Sequence, residues 1–359
     1  MFKLGASTVT SRDVSRGLNE RVAAAGYAAM AYWLYRWDWG ESIAMDGLWS
    51  AGSVLADSAF SDFAVRETRR WLESEPGGLD PMGPATVALD LLDAGSMPDA
   101  DAALEKLEEL ANRVLDSGEV TGGISPHGVD SVVFVDALYG YPSSIVRLGL
   151  MTGSDRTVDR ICALTARHCE LVQSRASGLF SHFSPVRPDA QPLTTAWGRG
   201  NGWALLGLSD LLAVLPSSHD RYAELAERLR AGVEGARLHQ CPDGSFRNIV
   251  DQAASYPESS ATAMIEAAVS QGVALGFLDT KLSSMADRAW AAIEHRIDTN
   301  GHLVGVSYRP GVNEDLRRYE HTPAIGSYPW GQGAYLRAAC ARYVRSLNNQ
   351  ETSSTEGAR

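Results

Sequence analysis

Thr194-Thr-Ala-Trp-Gly-Arg-Gly-Asn-Gly-Trp203 leads directly into the apolar run Ala204 to Leu215. The tract sets two indoles, a guanidinium and an amide among three glycines at the mouth of a helix. Glycine lets backbone approach a ligand closely and adopt positive φ. Indole offers a flat face with a polar N–H, and guanidinium a planar fork for carboxylate or hydroxyl oxygens. A helix N-terminus adds a weak positive field. The block therefore reads as a loop-to-helix entry that binds a polar, anionic ring. A glycine-rich turn with core tryptophans explains either Trp taken alone. It does not explain the whole block, because a core needs neither Arg199 nor Asn201.

The same phrase recurs along the chain. Six times a loop rich in Gly and aromatic or acidic residues enters a helix of small and apolar residues. The starts lie near Trp39-Gly40, Asp80 to Gly83, Asp136, Gly200 to Trp203, Glu258 to Ser260 and Trp330 to Gly333. More amphipathic stretches alternate with them: Arg12 to Tyr35, Ser58 to Leu72, Pro98 to Leu115, Asp155 to Gln173, Ser218 to His239 and Lys281 to Ile297. Apolar residues there recur every three or four positions, as in Leu225, Ala226, Leu229 and Val233, which is the mark of a helix with one solvated face. Small-residue helices suit an inner ring and amphipathic ones an outer ring. Six such hairpins predict an all-α, (α/α)6 toroid spanning residues 1–345 as a single domain, with all six entry loops at one end. An open solenoid would show a more regular period and a capping repeat. Short ribbon pieces are expected at Gly178 to His182, Gly244 to Asn248 and Gly301 to Val306, and a disordered polar tail over 346–359.

Composition narrows the class. The 359 residues are 45% hydrophobic and 21% charged, with a net charge of −12 and no Lys/Arg cluster. That argues against nucleic acid or an anionic membrane as partner, and it gives weight to Arg199 as a local cation. No run approaches the roughly 18 apolar residues of a spanning helix, and the N-terminus lacks an apolar stretch of signal-peptide length. Cys162, Cys169, Cys241 and Cys340 show no C-x-x-C spacing. They read as reduced thiols of a cytoplasmic protein rather than a zinc site.

Several side chains fit chemistry at the predicted mouth. Asp136 follows the apolar run Val132 to Val135, where desolvation should raise its pKa and suit it to general acid work; a helix N-cap explains an Asp there equally well. Asp80, in Gly77-Gly-Leu-Asp-Pro-Met-Gly83, falls at the same phase of the second repeat, where a turn is the competing explanation. Two carboxylates at one mouth are the usual equipment for breaking glycosidic bonds. His182 can donate to a sugar hydroxyl or orient a water, whereas His168, beside Cys169, reads as packing or surface. Trp37 and Trp39 can stack on a sugar or pack in the core.

These blocks together resemble the unsaturated glycuronyl hydrolases of glycoside hydrolase families 88 and 105. The resemblance rests on Phe134 to Tyr139, Gly178 to His182 followed by Trp197 to Trp203, Tyr256 to Met264, and Trp330 to Ala334, with Trp37 to Gly40 and Leu79-Asp80 in support; it covers about residues 30 to 345. It implies an (α/α)6 barrel that hydrates a terminal 4,5-unsaturated uronic acid on a lyase-made oligosaccharide, without metal or other cofactor. By matched position it implies Asp136 as the acid that protonates C4 and activates the water. Asp80 would be the supporting carboxylate, and His182, Trp197, Arg199 and Trp203 the pocket, with Trp39 beside them. The rhamnogalacturonan-type members carry a His-Lys pair upstream of the acid; here His127 stands without the Lys. The loop Ser307 to Tyr328, with Arg309, Arg317, Arg318 and His321, is long enough to shape a different leaving-group site. The alternatives are an inverting hydrolase of saturated glycosides or a sugar epimerase in the same barrel, and a toroid that binds carbohydrate without catalysis. Oligomeric state is not legible.

Overall fold

Helices account for nearly all of the regular structure, and they alternate between two roles. The computed structural model describes residues 14–32, 34, 37–74, 83–125, 132–186, 195–311 and 316–356. In chain order its helices are α1 (Val14–Met30), α2 (Trp39–Leu55), α3 (Ser58–Glu73), α4 (Ala85–Asp93), α5 (Ala100–Thr121), α6 (Tyr141–Thr152), α7 (Asp155–Val172), α8 (Gly198–Val214), α9 (Tyr222–Leu238), α10 (Ser259–Ala274), α11 (Ser283–Glu294), the short α12 (Leu316–Glu320) and α13 (Pro329–Glu356). In α10 every residue from Ser259 to Val273 is buried; a helix apolar all round belongs inside. In α3, by contrast, Phe60, Phe63, Ala64, Glu67, Thr68 and Trp71 form one buried stripe.

The inner helices close a ring. α2 packs on α4, α4 on α6, α6 on α8, α8 on α10, α10 on α13, and α13 returns to α2. The outer helices lie against it: α1 on α13 and α2, α3 on α2, α5 on α4 and α6, α7 on α6, α9 on α8 and α11 on α10. The fold is an (α/α)6 toroid, and closure of α13 on α2 excludes the open solenoid. Side-chain caps fix two of the inner entries. Asp38 Oδ1 accepts from the Gly40 and Glu41 amides at 3.0 and 3.2 Å, and Glu258 accepts from the Ala261 amide at 2.6 Å.

The segment read as a disordered tail from residue 346 continues α13 to Glu356, and Asn348 Nδ2 donates to Ala274 O at 2.8 Å. Extending an existing helix adds a hydrogen bond per residue without a new nucleation step, so polar composition alone did not end it.

A short ribbon lies at the mouth. β1 (Val132–Phe134) pairs antiparallel with β2 (Phe183–Pro185), Phe134 facing Phe183 and Val132 facing Pro185. The segments expected as ribbon appear as single bridges, Phe180 to Gln173, Arg247 to Pro257, Leu303 to Ile297 and Val306 to Gly326. The turn after β1 is seated on α8 with no room to spare. A Cβ on Gly207 would lie 2.0 Å from Leu138 O. Gly207→Ala should therefore destabilise the protein by roughly 1–3 kcal/mol and shift the turn that carries Asp136. Chemical denaturation together with turnover checks this, and a variant with unchanged stability would show that the two backbones are not in contact.

Candidate active site

The ribbon sets the geometry of the site. Beyond Phe134 the chain enters a 3₁₀ turn, Val135–Leu138, and the Val135 amide donates to His182 O at 2.9 Å. Strand register therefore places Asp136 beside His182, with His182 Nε2 3.7 Å from Asp136 Oδ2. At that distance the two face each other without a hydrogen bond. Asp136 is not a cap of α6; Gly140, at φ 81°, holds that position. Its side chain is 18% exposed, and Oδ2 is buried without a hydrogen-bond partner among the described residues. Burial raises its pKa to about 6, while Arg199, a backbone hydrogen bond and Arg309 pull the other way.

His182 is buried between aromatic rings. Its ring centroid lies 4.2 Å from that of Trp197, and Tyr319 Oη is 2.6 Å from Nδ1. Burial, reinforced by Arg199, lowers its pKa to about 3, so the imidazole is neutral. Burial, with Asp136 adding to it, pushes the Tyr319 phenol above its ordinary range, so that hydroxyl keeps its proton and shares a hydrogen bond with Nδ1. With Tyr319 as the donor in that bond, Nε2 carries the ring hydrogen and presents it toward Asp136. Tyr319 reaches His182 from α12, within the long loop; Arg317, Arg318 and His321 of the same loop are exposed. Nothing in the sequence singles out Tyr319, which depends on a loop packing back over the barrel.

The polar side chains of the glycine-rich tract hold neighbouring backbone. Gly198, Gly200 and Gly202 are helical rather than left-handed. A Cβ on Gly198 would lie 2.2 Å from Arg247 O, so close packing explains the glycine there. Asn201 is fully buried and clamps the Phe180 backbone: Phe180 N donates to Oδ1, and Nδ2 donates to Phe180 O, both at 2.8 Å. Arg199 is also fully buried. It donates from Nη1 to Ser307 O and Oγ at 2.9 and 2.7 Å and from Nη2 to Tyr308 O at 3.1 Å. Buried Glu258 Oε1 lies 3.8 Å from Nη1, and Trp197 lies under the guanidinium at 4.6 Å. Sequence reading placed Arg199 on the ligand; the fold engages it in holding loops.

Trp203 is fully buried, with its ring centroid 5.7 Å from Trp39 and 4.9 Å from Tyr139. Trp37 packs in the core, and Trp39 is half-buried beneath the Arg309 guanidinium at 4.7 Å. Arg309 was noted in the sequence only as part of a loop. Its side chain is 33% exposed, pairs with Asp38 at 2.6 Å and also lies over Trp330 at 5.4 Å. Below the tryptophans, Tyr139 donates to Asp46 Oδ2 at 2.6 Å, and Arg337 joins Tyr139 and Asp210 at 3.2 and 2.6 Å. This network anchors the turn of Asp136 from beneath. Asp80 and His127 lie outside the described residues. Among the described residues no group of three His, Cys, Asp or Glu is placed to hold a metal ion, and no helix is long and apolar enough to cross a membrane.

Comparison with known proteins places these features in a family. The model of Glycosyl Hydrolase Family 88 matches residues 21–346. The chain is 24% identical over 314 residues to the unsaturated rhamnogalacturonyl hydrolase YesR of Bacillus subtilis, covering 84% of this chain and 88% of that one. It is 24% identical over 295 residues to an unsaturated 3S-rhamnoglycuronyl hydrolase of an Alteromonas species, covering 77% of this chain and 65% of that one. Among solved structures, a possible member of the GH105 family from Salmonella enterica superposes with a TM-score of 0.83 at 18% identity, covering 95% of this chain and 97% of that one.

Proposed function

The chain belongs to Glycosyl Hydrolase Family 88 and is a glycoside hydrolase, and from that premise we propose that it removes a terminal 4,5-unsaturated uronic acid from lyase-generated oligosaccharides by hydrating the vinyl ether. One observation carries this reading: the Asp136 carboxyl faces His182 at 3.7 Å with its Oδ2 buried and without a hydrogen-bond partner among the described residues, and burial raises its pKa to about 6. Asp38 and Glu258 stand nearby, but each is committed to a helix cap and an arginine. Protonating carbon needs a neutral carboxyl, and the burial of Asp136 favours that form; Asp46, raised likewise to about 6, lies beneath and is engaged by Tyr139.

Asp136 delivers its proton to C4, and positive charge develops at C5 and the ring oxygen. The resulting carboxylate takes a proton from water as the water oxygen bonds to C5. The hemiketal formed there opens by cleaving its bond to the ring oxygen, and the hemiacetal left at C1 releases the rest of the chain. His182 Nε2–H steadies the water or a sugar hydroxyl at the Asp136 carboxylate. We assign Asp80 the supporting carboxylate. Buried Trp197, Arg199 and Trp203 act as the bed of the pocket, and Trp39 as its wall. No step calls for a metal or other cofactor. An acidic chain of net charge −12 suits an oligosaccharide better than nucleic acid or a lipid surface. Four buried free thiols suit a cytoplasmic setting.

Incubation with a panel of lyase products, following loss of the ultraviolet absorbance of the conjugated acid, tests the reading. In heavy water deuterium should enter at C4. The rate should fall as pH rises through about 6: the protonated form of Asp136 is the active one, and its fraction drops tenfold per pH unit above its pKa. His182 stays neutral down to about 3 and imposes no loss in mild acid. Cleavage of saturated glycosides with no absorbance change would instead favour the inverting hydrolase, which needs two carboxylates about 6.5–9.5 Å apart.

A further inference from the structure

We propose that Arg309 receives the carboxylate of the unsaturated sugar, an inference that rests on the reading above and names the cation of that same site. An acidic protein that binds a uronate must supply positive charge locally. Two guanidiniums are close enough to influence Asp136, those of Arg199 and Arg309. Arg199 is fully buried, and both its Nη atoms are engaged by Ser307, Tyr308 and the charge of Glu258. Arg309 is a third exposed and lies over Trp39 and Trp330 at the end where the inner helices begin. One of its Nη groups pairs with Asp38, and a guanidinium has five N–H donors.

The two arginines are linked. Arg199 grips the carbonyls of Ser307 and Tyr308, and the next residue is Arg309. The buried arginine fixes the backbone, and the part-exposed one extends from it over Trp39 and Trp330. Asp38 and the face of Trp39 hold the guanidinium in place before any ligand arrives; preorganisation of that kind lowers the ordering cost of binding. The position suits the chemistry, because the substrate carboxylate sits on C5, next to the carbon that Asp136 protonates.

The test compares an unsaturated uronide with its methyl ester. Arg309→Ala should lower kcat/KM on the acid by about tenfold to a hundredfold and on the ester much less. Arg309→Lys should recover part of the loss, because an ammonium keeps the charge but not the fork. Asp38→Asn keeps a cap oxygen while weakening the pair, and should cost less than Arg309→Ala. Thermal unfolding of each variant checks that the loop still folds. Equal losses on acid and ester, matched by Asp38→Asn, would make Arg309 a loop brace and overturn the proposal while the wild type still turns over. A wild type that neither binds nor hydrates any unsaturated uronide would remove the functional reading and this inference together.

Discussion

Replacing Asp136 by Asn is expected to lower turnover of an unsaturated uronide by at least about a hundredfold while leaving the barrel at least as stable at mildly alkaline pH. The two effects share one cause. Burial raises the pKa of the carboxyl to about 6, against about 3.9 in an unfolded chain. The folded state therefore holds the proton more tightly, and folding loses stability as pH climbs from about 4 to 6. Above that range the charged form is buried 3.7 Å from His182, with Oδ2 lacking a hydrogen-bond partner among the described residues. Asn carries no charge, so it escapes the penalty, but it has no proton to give to carbon. Kinetics and thermal melts on the same preparation check both halves. A variant keeping more than about a tenth of the rate would move the acid elsewhere. A sharp loss of stability would mean that the carboxylate is held by contacts beyond those described.

How much of this was legible in the sequence depends on whether the information is local. The inner entries at Trp39, Glu258 and Trp330 were readable because small-residue helices and their caps are written within a few residues. Outer helices were readable from period alone, though α5 runs on to Thr121, where Gly122 at φ 84° ends it. Asp136 was legible through its apolar approach, and that approach proved to be a strand rather than a helix entry. What the sequence hid was partnership across the fold. Tyr319 on His182, Arg309 on Trp39 and Tyr139 on Asp46 join positions 137, 270 and 93 residues apart. The glycine-rich tract stands against His182, and its polar residues Arg199 and Asn201 grip loop backbone. A guanidinium among glycines and indoles has the same signature whether it grips a sugar or a backbone carbonyl.

That ambiguity is resolved by a stability measurement. Arg199→Met should destabilise the protein by about 3–5 kcal/mol, the usual range for removing one partner of a buried ion pair, and should lower Tm by about 5 °C for a chain of this size. The loss has two sources. Glu258, with no exposed side chain, is left without its cation, the Tyr308 carbonyl loses the Arg199 donor, and the Ser307 carbonyl is left with the longer bond from Trp330 Nε1. Adding Glu258→Gln removes the orphaned charge while keeping an acceptor for the Ala261 amide, so the double variant should regain part of the stability lost by Arg199→Met alone. The kinetic penalty should fall on both acid and methyl ester, and more heavily on the acid, because a displaced 307–309 segment disturbs the whole mouth and carries Arg309 with it. Were Arg199→Met to melt like the wild type and lose activity on the acid alone, the guanidinium would be turning toward substrate. The clamp would then be a resting arrangement that the ligand displaces, and Arg309 would give way to Arg199 as the receiver of the carboxylate.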